Sequence, residues 1–249
     1  MPSAEILAPT DIQGLERAIV ASVAPQRVVE IAGWLVPLDD GSIGRAKSAA
    51  PLTHAADPDA IADIEQIYQA ARLPPAFRLA EVPGLSAVRD ALLARGYAPH
   101  TPTIMKLGTA AGLAALSEEP AELMDAPDAA WIAAFTGEGF DPQEGAQRAR
   151  NLTRAPDVRF AAIRQGERTV AVGVGSFNGG WVGVHGMRTA PEARRRGHAS
   201  RILAAIGAAA LARGLERAAL QVKEDNPARS LYRAAGFSSA WRYQYWAKP

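Results

Sequence analysis

Apolar positions along the chain alternate between two periods, and the alternation predicts the elements. Helical spacing marks residues 11–23 and 57–71, where Ile61, Ile64, Ile67 and Tyr68 share one face, and 86–95, where Val88, Leu92 and Leu93 recur. A further helix begins at Asp128, a capping residue, with Trp131, Ile132 and Phe135 facing inward, and another spans 143–152. After His198, the series Ala199, Ile202, Leu203, Ile206, Ala209 and Ala210 forms the longest apolar stripe. Extended patterns occupy 28–38, 77–82, 103–107, 121–124, 158–164, 169–177, 181–189 and 218–222. The last strand alternates Trp241, Tyr243 and Tyr245 with Arg242, Gln244 and Trp246, placing aromatics on both faces. Asp39-Asp40-Gly41 turns the chain back, and Asn178-Gly179-Gly180 suits a hairpin. Antiparallel strands feeding a single helix crossover predict an α+β fold, with a mixed, mostly antiparallel sheet flanked by helices.

The 249 residues can bury one large core or two modest ones, and two are expected, joined by a Gly/Ala/Ser/Glu-rich junction at 108–120. With 27 basic and 26 acidic side chains the net charge is +1, so no global field draws the chain to nucleic acid or an anionic membrane. The absence of cysteine excludes disulfides, a thiol nucleophile and thiolate metal sites. His54, His100, His185 and His198 lie too far apart for ligand spacing, so no metal is expected. The first residues lack a basic leader and an apolar core, and no run approaches ~18 apolar residues, so a cytoplasmic protein is expected.

One stretch carries chemistry. Arg194-Arg195-Arg196-Gly197-His198-Ala199 lies between the strand at 181–189, ended by Pro191, and the long Ala/Leu/Ile helix. A bulk-free bend at Gly197 before unpartnered helix N–H groups makes an anion cradle, and three arginines add charge. Gly173-Val174-Gly175 resembles the start of a dinucleotide fingerprint, but Asn178 stands at the next glycine position and a strand follows instead of a helix. No G-x-x-x-x-G-K-(S/T) loop is present.

Arg194, Gly197 and Ala199 match the fixed positions of the (Gln/Arg)-x-x-Gly-x-(Gly/Ala) loop, and Asn226-Pro227-Ala228-Arg229-Ser230-Leu231-Tyr232-Arg233-Ala234-Ala235-Gly236-Phe237 matches a closing N-P-A-R-x-L-Y-x-x-x-G-F segment. In both, the chain resembles the GCN5-related N-acetyltransferases (GNAT). The resemblance implies the acyl-CoA N-acyltransferase fold, acetyl-CoA as donor and an amine, small molecule or peptide, as acceptor. It implies two tandem GNAT-like units: a degenerate one at 1–108, without the Arg/Gly loop, and an acetyl-CoA-binding catalytic one at 109–249. It places Met187, Arg188 and Thr189 along the pantetheine, and Arg194, Arg195, Arg196, Gly197, His198, Ala199 and Ser200 around the pyrophosphate. Asn226 touches the cofactor, a role compatible with capping the helix that Pro227 opens. Tyr232 becomes the general acid that protonates the departing thiolate.

The chain departs from the family at one position. Many members carry a Glu on the strand before Asn226; here Gln221 stands there and cannot take a proton. The expectation is therefore a low-pKa acceptor such as an α-amine, or a water relay to His185, Glu138 or Glu224. His185, in phase with Trp181, Gly183 and Met187 by strict alternation, is expected to point into the cleft as a catalytic residue. The alternative from another class is a non-catalytic acyl-CoA sensor. The sequence leaves the oligomeric state open, a homodimer included.

Overall fold

A computed structural model describes residues 7–137 and 142–249. The elements in chain order are α1 (Pro9–Ala21), β1 (Arg27–Ile31), β2 (Trp34–Leu38), β3 (Ala50–Pro51), α2 (Ala60–Ala70), β4 (Ala76–Ala80), α3 (Ser86–Ala94), β5 (Ala98–Thr109), α4 (Ala110–Ala114), β6 (Glu122–Met124), α5 (Ala129–Thr136), α6 (Pro142–Arg154), β7 (Val158–Gln165), β8 (Arg168–Asn178), β9 (Trp181–Thr189), α7 (His198–Leu211), β10 (Arg217–Lys223), α8 (Arg229–Ala234) and β11 (Ser238–Ala247). Eight strands form one sheet in the order β4-β11-β5-β10-β9-β8-β7-β6, and β1-β2-β3 form a second. Within the large sheet the β9–β10 pair is parallel and the others are antiparallel, which is the α+β mixed sheet expected.

The extended pattern at 28–38 is two strands. Ala32 and Gly33, both at positive φ, make a two-residue turn that pairs Ile31 with Trp34. The junction at 108–120 folds in part as α4. Thr109 caps it by accepting from the Gly112 N–H, and Gly207 lets it lie on α7, since a Cβ there would meet the Ala114 nitrogen at 2.4 Å. β5 is longer than expected and lies between β10 and β11, so the stretches before and after residue 108 share one sheet. Ile132, expected inward, is exposed on α5, whereas Trp131 and Phe135 are buried against β7 and β8.

Several apolar clusters fill the interior. α7, a helix of small and branched side chains, packs Ile202, Leu203 and Ile206 on the sheet. α2 and α3 cover the β4 end with Ile61, Ile64 and Leu92, and α5 and α6 cover the β7 end. α1 packs Leu15 and Ile19 on the opposite face from α7, beside Met105, Trp181 and Ala219, and ties to β4 through the buried Arg78–Glu16 ion pair. Among the described residues no helix is long and apolar enough to cross a membrane.

Candidate active site

β9 and β10 run parallel only from Trp181–Arg217 to Val184–Leu220 and then part, opening a wedge in the middle of the sheet. The parting coincides with a bulge: Val174 pairs with His185 but Val172 with Arg188, and Gly186, at φ 57°, supplies the extra residue. Gly173 accommodates this, because a Cβ there would strike the Met187 sulfur and Ile202. The bulge also breaks the alternation expected from sequence. Met187 turns to the α7 side, while His185 stays on the face of α1, so the two do not share a face.

On the α7 side lies a cleft of about 650 Å³. It is lined by Met187, Arg188 and Thr189 of β9, by Arg194, Arg195, Gly197, His198, Ala199 and Ser200 of the loop and helix start, and by Ala228 and Leu231. The loop bends through Arg195 at φ 62° and Gly197 at φ 78°, and no side chain caps α7. Its first N–H groups and dipole end therefore face the cleft. A Cβ on Gly197 would meet nothing within 4 Å, so the protein itself leaves that space open. His198 is buried with neither ring nitrogen hydrogen-bonded to the described residues, and burial, with Arg201 and Arg196 nearby, holds it below the usual histidine range. The Arg188 side chain donates to the carbonyls of Phe135 and Gly137 at the end of α5, which anchors β9 from outside the cleft.

Of the remaining residues expected here, Arg196, Asn226 and Tyr232 do not line the cleft. Asn226 accepts from the Ala228 N–H through Oδ1 at 2.8 Å, so it shapes the turn into α8. Tyr232 is buried beside Phe237, its hydroxyl makes no hydrogen bond to the described residues, and burial raises its pKa.

On the other face, a cavity of about 620 Å³ opens between the 3-10 turn Gly44–Ala46, the ends of β5, β10 and β11, and α6. Arg45 reaches across it. Its Nη1 donates to His185 Nδ1 at 3.0 Å, and His185 Nε2 lies 2.8 Å from Ser176 Oγ. Since guanidinium only donates, Nδ1 must accept, the ring proton sits on Nε2 and is given to Ser176. Burial and the charge of Arg45 hold His185 well below the usual histidine range, so it is neutral with no free lone pair. Gly183 makes the chain of contacts possible, as a Cβ there would lie 2.5 Å from Ser176 Oγ. Gln221 stands opposite, where β9 and β10 part. Its Oε1 accepts from the Tyr243 hydroxyl at 3.0 Å, and its Nε2 is buried with no partner among the described residues. Burial and neighbouring Tyr245 push Tyr243 well above the usual tyrosine range, keeping that hydroxyl protonated.

Glu224 lies outside this cavity and pairs with Arg242, and Glu138 falls outside the described residues. Tyr243 and Tyr245, among the last-strand aromatics that the sequence offers for an acceptor pocket, line this cavity, whereas Arg45 was not singled out from sequence. Arg45 sits in a short turn 140 positions from His185, with no motif to mark it. The nearest signal is Gly44, which lets the turn press on the Tyr245 ring, 2.8 Å from a would-be Cβ. Among the described residues no group of His, Asp or Glu could hold a metal ion.

The family described as "Probable histone acetyltransferase Rv0428c C-terminal" matches residues 9–246. Among solved structures, a GCN5-related N-acetyltransferase from Kribbella flavida is 20% identical, with a TM-score of 0.71 over 98% of this chain and 96% of that one. An acetyltransferase of the GNAT family from Novosphingobium aromaticivorans is 20% identical, with a TM-score of 0.56 over 95% and 99%. A tandem GNAT protein from the clavulanic acid biosynthesis pathway is 12% identical, with a TM-score of 0.59 over 96% of each chain. None of the curated proteins matches.

Proposed function

Because the chain belongs to the GCN5-related N-acetyltransferase family, whose fold supports acyl transfer, we propose that it is an N-acetyltransferase moving acetyl from acetyl-CoA to an amine of low pKa. The observation that carries this reading is the left-handed Gly197 before an uncapped α7, with open space where a side chain would stand. The residues suit the donor. Backbone groups from Arg195 to Ser200 hold its diphosphate, His198 offers a ring nitrogen otherwise unpaired, and the Gly186 bulge aims Met187, Arg188 and Thr189 along its arm. When bound, acetyl-CoA supplies an activated thioester whose C–S bond breaks as the amine lone pair forms the new C–N bond, the nitrogen giving up one proton to solvent and the departing thiolate taking one.

Tyr232 holds that proton: burial keeps the phenol neutral at pH 7, and no hydrogen bond to the described residues diverts its hydroxyl. Asn226 sets the turn that starts α8 and so fixes Tyr232. His185 acts as a positioning residue, because both nitrogens are engaged and neither can take a proton while Arg45 stays in place. No carboxylate lines the acceptor cavity among the described residues. Neutralising a lysine amine at pH 7 costs about 4–5 kcal/mol and the α-amine of a peptide N-terminus about 1.4 kcal/mol, with a free amino acid between the two, so α-amines are the acceptors this site can use most readily. Residues 1–108 form the degenerate unit and shape the acceptor side through Arg45 and β5, while 109–249 form the catalytic unit. An amine panel with acetyl-CoA and thiol detection tests the reading. Thiol release with α-amines supports it; binding of acetyl-CoA with no thiol release for any amine makes the chain a sensor instead.

A further inference from the structure

The acceptor cavity carries one sign of charge. Arg45, Lys47, Arg148 and Lys223 line it from the 3-10 turn, α6 and β10, and no Asp or Glu does so among the described residues. Arg148 is 3.7 Å from Glu144 on its own helix, but no described carboxylate lies within ion-pair distance of Arg45, Lys47 or Lys223. Arg45 is the telling residue. It is half-buried, its side-chain hydrogen bond among the described residues goes to His185 Nδ1, a neutral acceptor, and the guanidinium has donors to spare. Leaving a cation in such surroundings is costly unless an anion completes it. Beside it, Gln221 Nε2 is a buried donor without an acceptor among the described residues. Spare guanidinium N–H groups and one buried amide donor therefore border the wedge where the amine must arrive.

Resting on the acetyl-transfer reading above, we propose that the acceptor is an amine carrying its own carboxylate, an α-amino acid or close kin, with Arg45 binding the carboxylate. A guanidinium matches a carboxylate with two parallel hydrogen bonds. Tyr243, held by Gln221, and Tyr245, which lies against Gly44, wall the cavity on the β11 side. A volume of about 620 Å³ takes a molecule of this class whole. The same charges repel a lysine-rich peptide, so the acceptor differs from the histone substrate in the matching family's description.

The test compares three acceptors, phenylalanine, phenylalaninamide and phenethylamine, by kcat/KM at fixed acetyl-CoA. The amide has the less basic amine, so a preference for the acid runs against basicity. The acid should exceed both neutral analogues by about 10-fold or more, and Arg45→Gln should remove most of that preference. If Arg45→Gln does not fold, Lys47→Ala should narrow it. Thermal shift with N-acetylphenylalanine against N-acetylphenylalaninamide reads carboxylate binding without turnover, and only the acid should stabilise the protein. Thiol release with equal or reversed preference, or faster acetylation of a lysine peptide, overturns the inference and leaves acetyl transfer standing. Acetyl-CoA binding without any turnover removes the acetyl-transfer reading, and the thermal shift still decides the carboxylate.

Discussion

Gly197 and Gly214 sit at the two ends of α7 with the same backbone habit, φ 78° and 71°, and neither would place a Cβ within 4 Å of another atom. Alanine at either position meets no obstacle, so its cost is the left-handed backbone alone, about 1–2 kcal/mol. At Gly214, which closes the helix through the Leu215 N–H to the Ala210 carbonyl, that cost falls on stability. For a chain of this size, with about 2–4 °C of Tm per kcal/mol, Gly214→Ala should melt about 2–8 °C lower and bind acetyl-CoA as before. At Gly197 the exposed loop can escape the strain by leaving the left-handed region when empty, and must return to it to bind. The same 1–2 kcal/mol then appears in affinity, about 5–30-fold, and valine should weaken binding further by filling the open space. Paired melting and calorimetric titrations of both variants distinguish the ends. Equal affinities for the two alanine variants would refute the assignment of the loop as the anion cradle.

Three further outcomes follow from the site. Tyr232→Phe should cut kcat by about 100-fold or more with acetyl-CoA affinity unchanged, and Tm near wild type because the hydroxyl makes no hydrogen bond to the described residues; a fully active variant would remove Tyr232 from proton transfer. Gln221→Glu, facing the Tyr243 hydroxyl, should raise turnover of strongly basic amines at pH 7 by about 10-fold or more, as a carboxylate can take the proton that the amide cannot; an unchanged amine preference would count against a missing base. His54, His185 and His198 are each held below the usual histidine range, chiefly by burial. The unfolded chain therefore binds more protons below about pH 6.5, so stability should fall as pH drops through that value and stay level above it. His185→Gln should flatten the fall in a Tm-against-pH series, and an unaltered profile would show that His185 titrates alike in both states.

Local structure was legible in the sequence; distant pairing was not. The bend at Gly197 and the start of α7 are legible because Gly197, the arginines and the apolar stripe are neighbours in the chain, and α7 shows its apolar face in the spacing of Ile202, Leu203 and Ile206. The place of β5 between β10 and β11 depends on contacts across more than a hundred residues, which no local pattern records. The bulge at Gly186 defeats alternation, since one extra residue sends Met187 to the face opposite that of His185. The hairpin at Ala32-Gly33 was hidden because the strands on both sides are apolar and continuous. Arg45 looked like any basic residue in a polar turn until the fold set it against His185, whose two ring nitrogens are thereby both engaged, a contact that strand alternation does not record.

The most direct measurement is calorimetric titration of the whole chain with acetyl-CoA, alongside the Gly197→Val variant. The account predicts micromolar binding for the wild type, weakened by added salt as phosphate contacts require, and its loss in the variant. No heat at millimolar acetyl-CoA, or equal binding by both proteins, would contradict the claim that the bend before α7 grips the diphosphate of a CoA thioester.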